Sequence, residues 1–250
     1  MAYYHSRYSN YSRKKKSKFS KFIYIFLIIL IVAALAVGYQ LWVVIFKPNT
    51  WVPDQKEANL YITTGSGFED LKAQLYGNGL IVNRTTFEWL AEKKNLSANV
   101  NPGHYVISHG MNNNELINLL RSGKQTPVDI TFNNIRTKTE LAQNISLQIE
   151  ADSARLISLL NDSAFIKKYG FNEENVLTMF IPNTYEFYWN TTAKDFFERM
   201  FSEYNKFWTN ERLGKASELE LTPVEVSILA SIVQKETNKK LQKEIEEHKN

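Results

Sequence analysis

The residue with the clearest chemical potential is one acid on an apolar helical stripe. From Thr222 to Lys240 the chain reads Thr-Pro-Val-Glu-Val-Ser-Ile-Leu-Ala-Ser-Ile-Val-Gln-Lys-Glu-Thr-Asn-Lys-Lys. At about 100° per residue, Leu229, Ile232 and Val233 project within roughly a sixth of a turn of Glu236. The acid therefore lies on the apolar stripe. A carboxyl held against an apolar wall is harder to ionise, and keeping its proton toward neutral pH is what a general acid must do. The competing reading has Glu236 end an amphipathic helix and pair with Lys240 one turn on.

The helix that carries this acid has a strong start signal. Thr222 caps the first turn, Pro223 sits where a missing N–H costs nothing, and Glu225 completes a reciprocal Thr-x-x-Glu box. A second stretch, Phe180-Ile-Pro-Asn-Thr-Tyr-Glu-Phe-Tyr188, reads as an aromatic loop between helical segments. Aromatic faces beside small polar groups suit sugar rings, which stack and hydrogen-bond at once. Equally, Phe180, Tyr185 and Phe187 serve as core anchors for such a loop.

Both stretches resemble a known family. Leu229-Ala-Ser-Ile-Val-Gln-Lys-Glu-Thr237 is similar to the catalytic-helix signature of the endolytic murein transglycosylases, the YceG-like family, in which Ala-Ser-Ile-(Val/Ile)-Glu-Lys-Glu-Thr recurs. The second glutamate of that pattern, the catalytic one, maps onto Glu236; Gln234 stands where the family has its first. Phe180 to Tyr185 resembles the family's Phe-x-Pro-(Asp/Gly/Asn)-Thr-Tyr segment, which implies Thr184 and Tyr185 as glycan contacts. The implied reaction cuts the β-1,4 bond between N-acetylmuramic acid and N-acetylglucosamine without water. The muramic C6 hydroxyl closes onto its own C1, leaving a 1,6-anhydro end and terminating strand elongation. One acid, Glu236, then serves twice, and neither cofactor nor metal is required. The alternative is a non-catalytic, membrane-anchored murein-binding or scaffold protein.

Composition bounds the setting of this chemistry. The 250 residues contain no cysteine, which excludes disulfides, zinc-thiolate sites and thiol catalysis. His5, His104, His109 and His248 are too scattered to suggest a metal site. Phe22 to Phe46 carries no charged residue or histidine, long enough to cross a bilayer as an uncleaved anchor. Residues 1–21 hold seven basic residues and no acidic one, which predicts a cytoplasmic N-terminal tail and an exported remainder. Setting those seven aside leaves 23 basic against 26 acidic residues, so the basicity is a topology signal and nucleic acid is not an expected partner. The expected partners are the inner membrane, the glycan strands outside it and cell-wall synthesis proteins.

Beyond the anchor, Pro53 to Glu57 reads as a polar spacer lifting the first unit off the membrane. Strand-like alternation at 59–64 and 104–108 brackets two helices, one opened by a Ser66-x-x-Glu69 box and one capped by Asn83. This β-α-α-β order is that of LysM-like modules, with which the exported part of the resembled family begins. Asn112 caps a further helix ending at Gly123, and Pro127 to Phe132 reads as an edge strand. Helices then dominate: after the Thr137-Glu140 box, near 154–160 and 164–169, and over 193–208, where Phe196, Phe197, Met200, Tyr204 and Phe207 form a core stripe. The predicted fold is α+β: a basic tail (1–21), a transmembrane helix (22–46), a LysM-like unit (55–125) and a mainly helical catalytic domain (126–250). Beyond Lys240 the resemblance stops while the family's catalytic domain continues, so that domain is expected to be incomplete.

Overall fold

The computed structural model describes residues 18–133 and 135–247. The basic tail up to Ser17, with His5, and the last three residues, with His248, lie outside the described residues. The fold mixes helix and strand and is mostly helical.

Helix α1 runs Lys18–Phe46. Its stretch Lys21–Phe46 is apolar on every side and, at 26 residues, long enough to cross a membrane, consistent with a single-pass anchor. At its far end the chain enters the first unit without a spacer. Asn49 and Thr50 both donate their backbone N–H to the Met111 carbonyl, Pro48 and Thr50 bridge to Asn112 and Ile81, and Val52 is buried. The expected lift over Pro53 to Glu57 is therefore replaced by a direct join. Polar groups at the helix end find partners inside the unit, which holds it close.

The first unit contains β1 (Glu57–Ile62), α2 (Phe68–Gly77), α3 (Arg84–Lys93), β2 (Gly103–Ser108) and α4 (Asn113–Ser122). Strands β1 and β2 pair antiparallel from Glu57↔Ser108 to Ile62↔Gly103. Alternation sends Leu60, Ile62, Tyr105 and Ile107 into a core shared with Leu71, Phe87 and Leu116. At Gly103, φ is +137°, a backbone conformation strained for any side chain, and an added Cβ would force the Gln125 side chain, 2.1 Å away, to move. Asn83 and Asn112 cap α3 and α4 as their sequences predict. Helix α2 departs from prediction by one residue. Gly67 is its N-cap and donates its backbone N–H to the Asp70 carboxylate at 2.9 Å, while the Ser66 hydroxyl pairs with that of Thr63.

The second unit follows as β3 (Val128–Phe132), α5 (Lys138–Ser146), α6 (Ser153–Leu160), α7 (Ser163–Lys167), a 3-10 turn at Val176–Met179, β4 (Asn183–Phe187), α8 (Ala193–Phe207), α9 (Asn210–Glu218) and α10 (Pro223–Glu247). The stretch read as an aromatic loop is largely a strand. β4 pairs antiparallel with β3 from Val128↔Phe187 to Phe132↔Asn183. Its alternation was masked in sequence because Tyr188 prolongs the aromatic run past the strand end. Phe196, Phe197, Met200 and Tyr204 of α8 are buried in this core, while Phe207 is only half-buried.

The two units meet along a polar and aromatic seam. Thr64 donates its backbone N–H and its hydroxyl to the Glu150 carboxylate, each at 2.6 Å, and Glu150 donates its own N–H to the Trp189 carbonyl at 2.7 Å. The Tyr61 ring lies 5.3 Å from that of Trp189.

Candidate active-site helix and its cavity

Helix α10 starts where its sequence says. Thr222 donates its N–H and hydroxyl to the Glu225 carboxylate at 2.8 and 2.7 Å, and Glu225 N–H returns to the Thr222 hydroxyl at 3.3 Å. The Thr222 backbone bond, then its hydroxyl, hold the Glu225 carboxyl below the usual carboxylate range. Val224 packs against the second core and anchors the first turn.

One side of α10 roofs a cavity of about 630 Å³. Ser227, Ser231 and Gln234 face it from the helix; Phe132, Phe180 and Trp208 form the facing wall, with the Arg136 side chain at its edge. The cavity thus joins aromatic faces to hydroxyl, amide and guanidinium groups, a lining suited to a polar ring compound.

Glu236 does not line it. Two residues beyond Gln234, it projects about 200° further round the helix and is exposed. Leu229 and Val233, 49% and 57% exposed, share its side, and Ile232, 54% exposed, borders both faces. The apolar wall expected around the acid is open, with Leu229, Ile232 and Val233 each about half exposed. The predicted pair with Lys240 is not formed either: among the described residues the Glu236 carboxylate makes no ion pair and no hydrogen bond.

The aromatic segment supplies the far wall. Phe180 and Phe187 are buried against Phe196, with ring centroids 6.0 and 5.2 Å away. Tyr185 is buried too, stacked on Phe132 at 5.6 Å, and its hydroxyl donates to the Ile181 carbonyl at 2.7 Å. Burial, and then the charge of Glu203, push its phenol up. Thr184 points the other way, exposed, its hydroxyl 2.8 Å from that of Thr131 across the sheet. The structure therefore brings Phe180 and α10 to one cavity, sets Tyr185 in the core beneath it, and leaves Glu236 and Thr184 at the surface.

The family model described as YceG-like matches residues 60–245. The chain belongs to the YceG-like family. No curated protein matches the sequence. Among solved structures, the crystal structure of a yceG-like protein of Listeria monocytogenes, lmo1499, is similar at 19% identity and a TM-score of 0.38, over 68% of this chain and 61% of that one. The chain thus spans about three-fifths of that protein's length.

In this YceG-like chain a second aromatic cluster lies on the seam, composed of residues too far apart for a sequence pattern to join. Tyr61, 41% exposed, stacks on His104 at 4.7 Å and leans on Trp189 at 5.3 Å. His104 is buried, with Nδ1 3.0 Å from the Thr126 carbonyl, to which it donates, and Nε2 2.9 Å from the Asn59 side chain. The imidazole is thereby held flat under the exposed tyrosine.

Proposed function

We propose that this YceG-like chain is a membrane-anchored lytic transglycosylase of nascent peptidoglycan, with Glu236 as its acid and base. The observation that carries this reading is the carboxylate of Glu236 inside the 229–237 motif, unpaired among the described residues, when Glu225 on the same helix is tied up in its cap. Glu236 gives its proton to the glycosidic oxygen as the bond from muramic C1 breaks. The muramic C6 hydroxyl oxygen then bonds to C1 and its proton passes to Glu236, restoring the acid. The nucleophile belongs to the substrate, so no second carboxylate or metal is needed. Proton donation also requires water to be kept from Glu236, so the open stripe of Leu229 and Val233 must be covered in the working complex. Thr184 is the glycan contact that remains reachable; Tyr185 supports it from the core. Helix α1 would hold the site outside the inner membrane with the basic tail in the cytoplasm, beside emerging strands and the proteins that synthesise them.

The test is digestion of purified murein by the detergent-solubilised chain, with glycan ends read by mass spectrometry. Ends lighter by one water, absent with Glu236→Gln, are the expected result. Intact murein from folded protein would overturn it.

A second reading, a non-catalytic murein-binding protein, is favoured by the exposed Tyr61 ring backed by His104 and Trp189, a stacking platform for a sugar face. It predicts murein sedimentation that Tyr61→Ala weakens and Glu236→Gln does not.

A further inference from the structure

A groove of about 420 Å³ runs between α1 and α3, lined by Ala36, Leu41 and Val44 from the anchor and by Thr85 and Trp89 from the first unit. Its walls are almost wholly apolar. Filling such a space with water is unfavourable, and filling it with hydrocarbon is not. One of its walls is the membrane-spanning helix itself. At about 1.5 Å per residue, Lys21–Phe46 is about 39 Å long against a hydrocarbon core of about 30 Å. Centred in the bilayer, the helix leaves only about three residues beyond the core at each end, so Ala36 and Leu41 lie at or below the acyl boundary. Thr85 and the 40% exposed Trp89, which line the same groove, sit near that depth as well.

The joint that sets this arrangement is built rigidly. Asn113, buried, donates its side-chain amide to the Val44 carbonyl of α1 at 2.8 Å and to the Thr86 hydroxyl of α3 at 3.2 Å. Its oxygen accepts from the Asn49 amide at 2.6 Å, and Asn49 also binds the backbone of Asn83 in both directions, at 3.0 and 2.7 Å. One network thus ties the end of the anchor to the start of α3, so the first unit cannot swing free of the membrane surface without leaving buried amides unpaired. Tyr39 and Trp42, stacked at 6.5 Å, mark the same level on α1 with interfacial aromatics.

We infer that the first unit is docked into the membrane surface and that phospholipid acyl chains fill the groove between Ala36–Val44 of α1 and Thr85–Trp89 of α3. This rests on α1 spanning the bilayer. The unit is then a fixed extension of the anchor, held down at the lipid boundary.

Because the chain has no cysteine, single nitroxide labels can be placed at chosen positions along it. Thr85→Cys, the exposed Leu35→Cys on the side of α1 facing away from the groove, and the exposed Ser217→Cys on the second unit would be reconstituted in phosphatidylethanolamine–phosphatidylglycerol vesicles. Each label's relaxation by oxygen, which partitions into hydrocarbon, is compared with that by a water-soluble nickel chelate. The expected oxygen-to-nickel ratio at Thr85 approaches that at Leu35 and exceeds that at Ser217 several-fold. A ratio at Thr85 equal to that at Ser217, with Leu35 in lipid, would overturn the docking and leave the anchor intact. Leu35 in water would overturn both.

Discussion

Gln234 lines the cavity beneath α10, whereas Glu236, about 200° further round the helix, faces away from it. The motif is thus divided between a cavity face and a solvent face. A carboxylate that is exposed and unpaired contributes little to folding, so Glu236→Gln is expected to change stability by less than about 0.5 kcal/mol while removing anhydro ends from digested murein. Urea midpoints of the two proteins check this; a large fall in the variant would make Glu236 a structural acid.

Tyr185 separates packing from binding. Tyr185→Phe keeps the ring against Phe132 and loses only the bond to the Ile181 carbonyl, at an expected cost of about 1 kcal/mol. Murein sedimentation should be unchanged. A variant of full stability that no longer binds murein would mean that the hydroxyl meets glycan directly.

The Asn49–Asn113 network should be costly to break. Asn113→Ala strips partners from the Asn49 amide and the Val44 carbonyl in a buried site. The expected loss is about 3 kcal/mol, read as a lower urea midpoint and as faster amide exchange in α3 and α4 than in the second unit. Uniform exchange across both units would argue that the joint is not local to the first.

Acid should loosen the second unit through Glu203. Its carboxyl is held below the usual range by the hydrogen bond from Lys206, which outweighs the opposing effect of burial, and by the neighbouring Arg199. The folded state therefore binds this proton less readily than the unfolded chain does. The stabilisation is fully present above the ordinary value of 4.5 and is lost as the pH falls below it. Between pH 6 and 3 the urea midpoint of the native protein should fall further than that of Glu203→Gln. The difference is expected to be small, since Lys206 and Arg199 are largely in solvent.

Much of the fold was legible along the chain because it is encoded over a few residues. The caps at Asn83, Asn112, Thr137 and Thr222, the alternation of β1 and β2, the stripe of α8 and the apolar length of α1 each depend on neighbours within one or two turns. The motif at 229–237 was equally plain, and membership of the YceG-like family follows from the sequence match over 60–245. Which side of a stripe is covered is decided elsewhere. Leu229 and Val233 look like core residues beside Glu236, yet the face of α10 turned toward the second unit is the one carrying Val226, Ser227 and Gln234, because Phe132, Phe180 and Trp208, from positions far away in the chain, line the other side of the cavity there. For the same reason the pairing of Thr184 with Thr131, the Tyr61–His104–Trp189 stack and the join of Val44 to Asn113 emerge only from the assembled units. Periodicity says that a helix has an apolar side; only long-range packing energy says what, if anything, it meets.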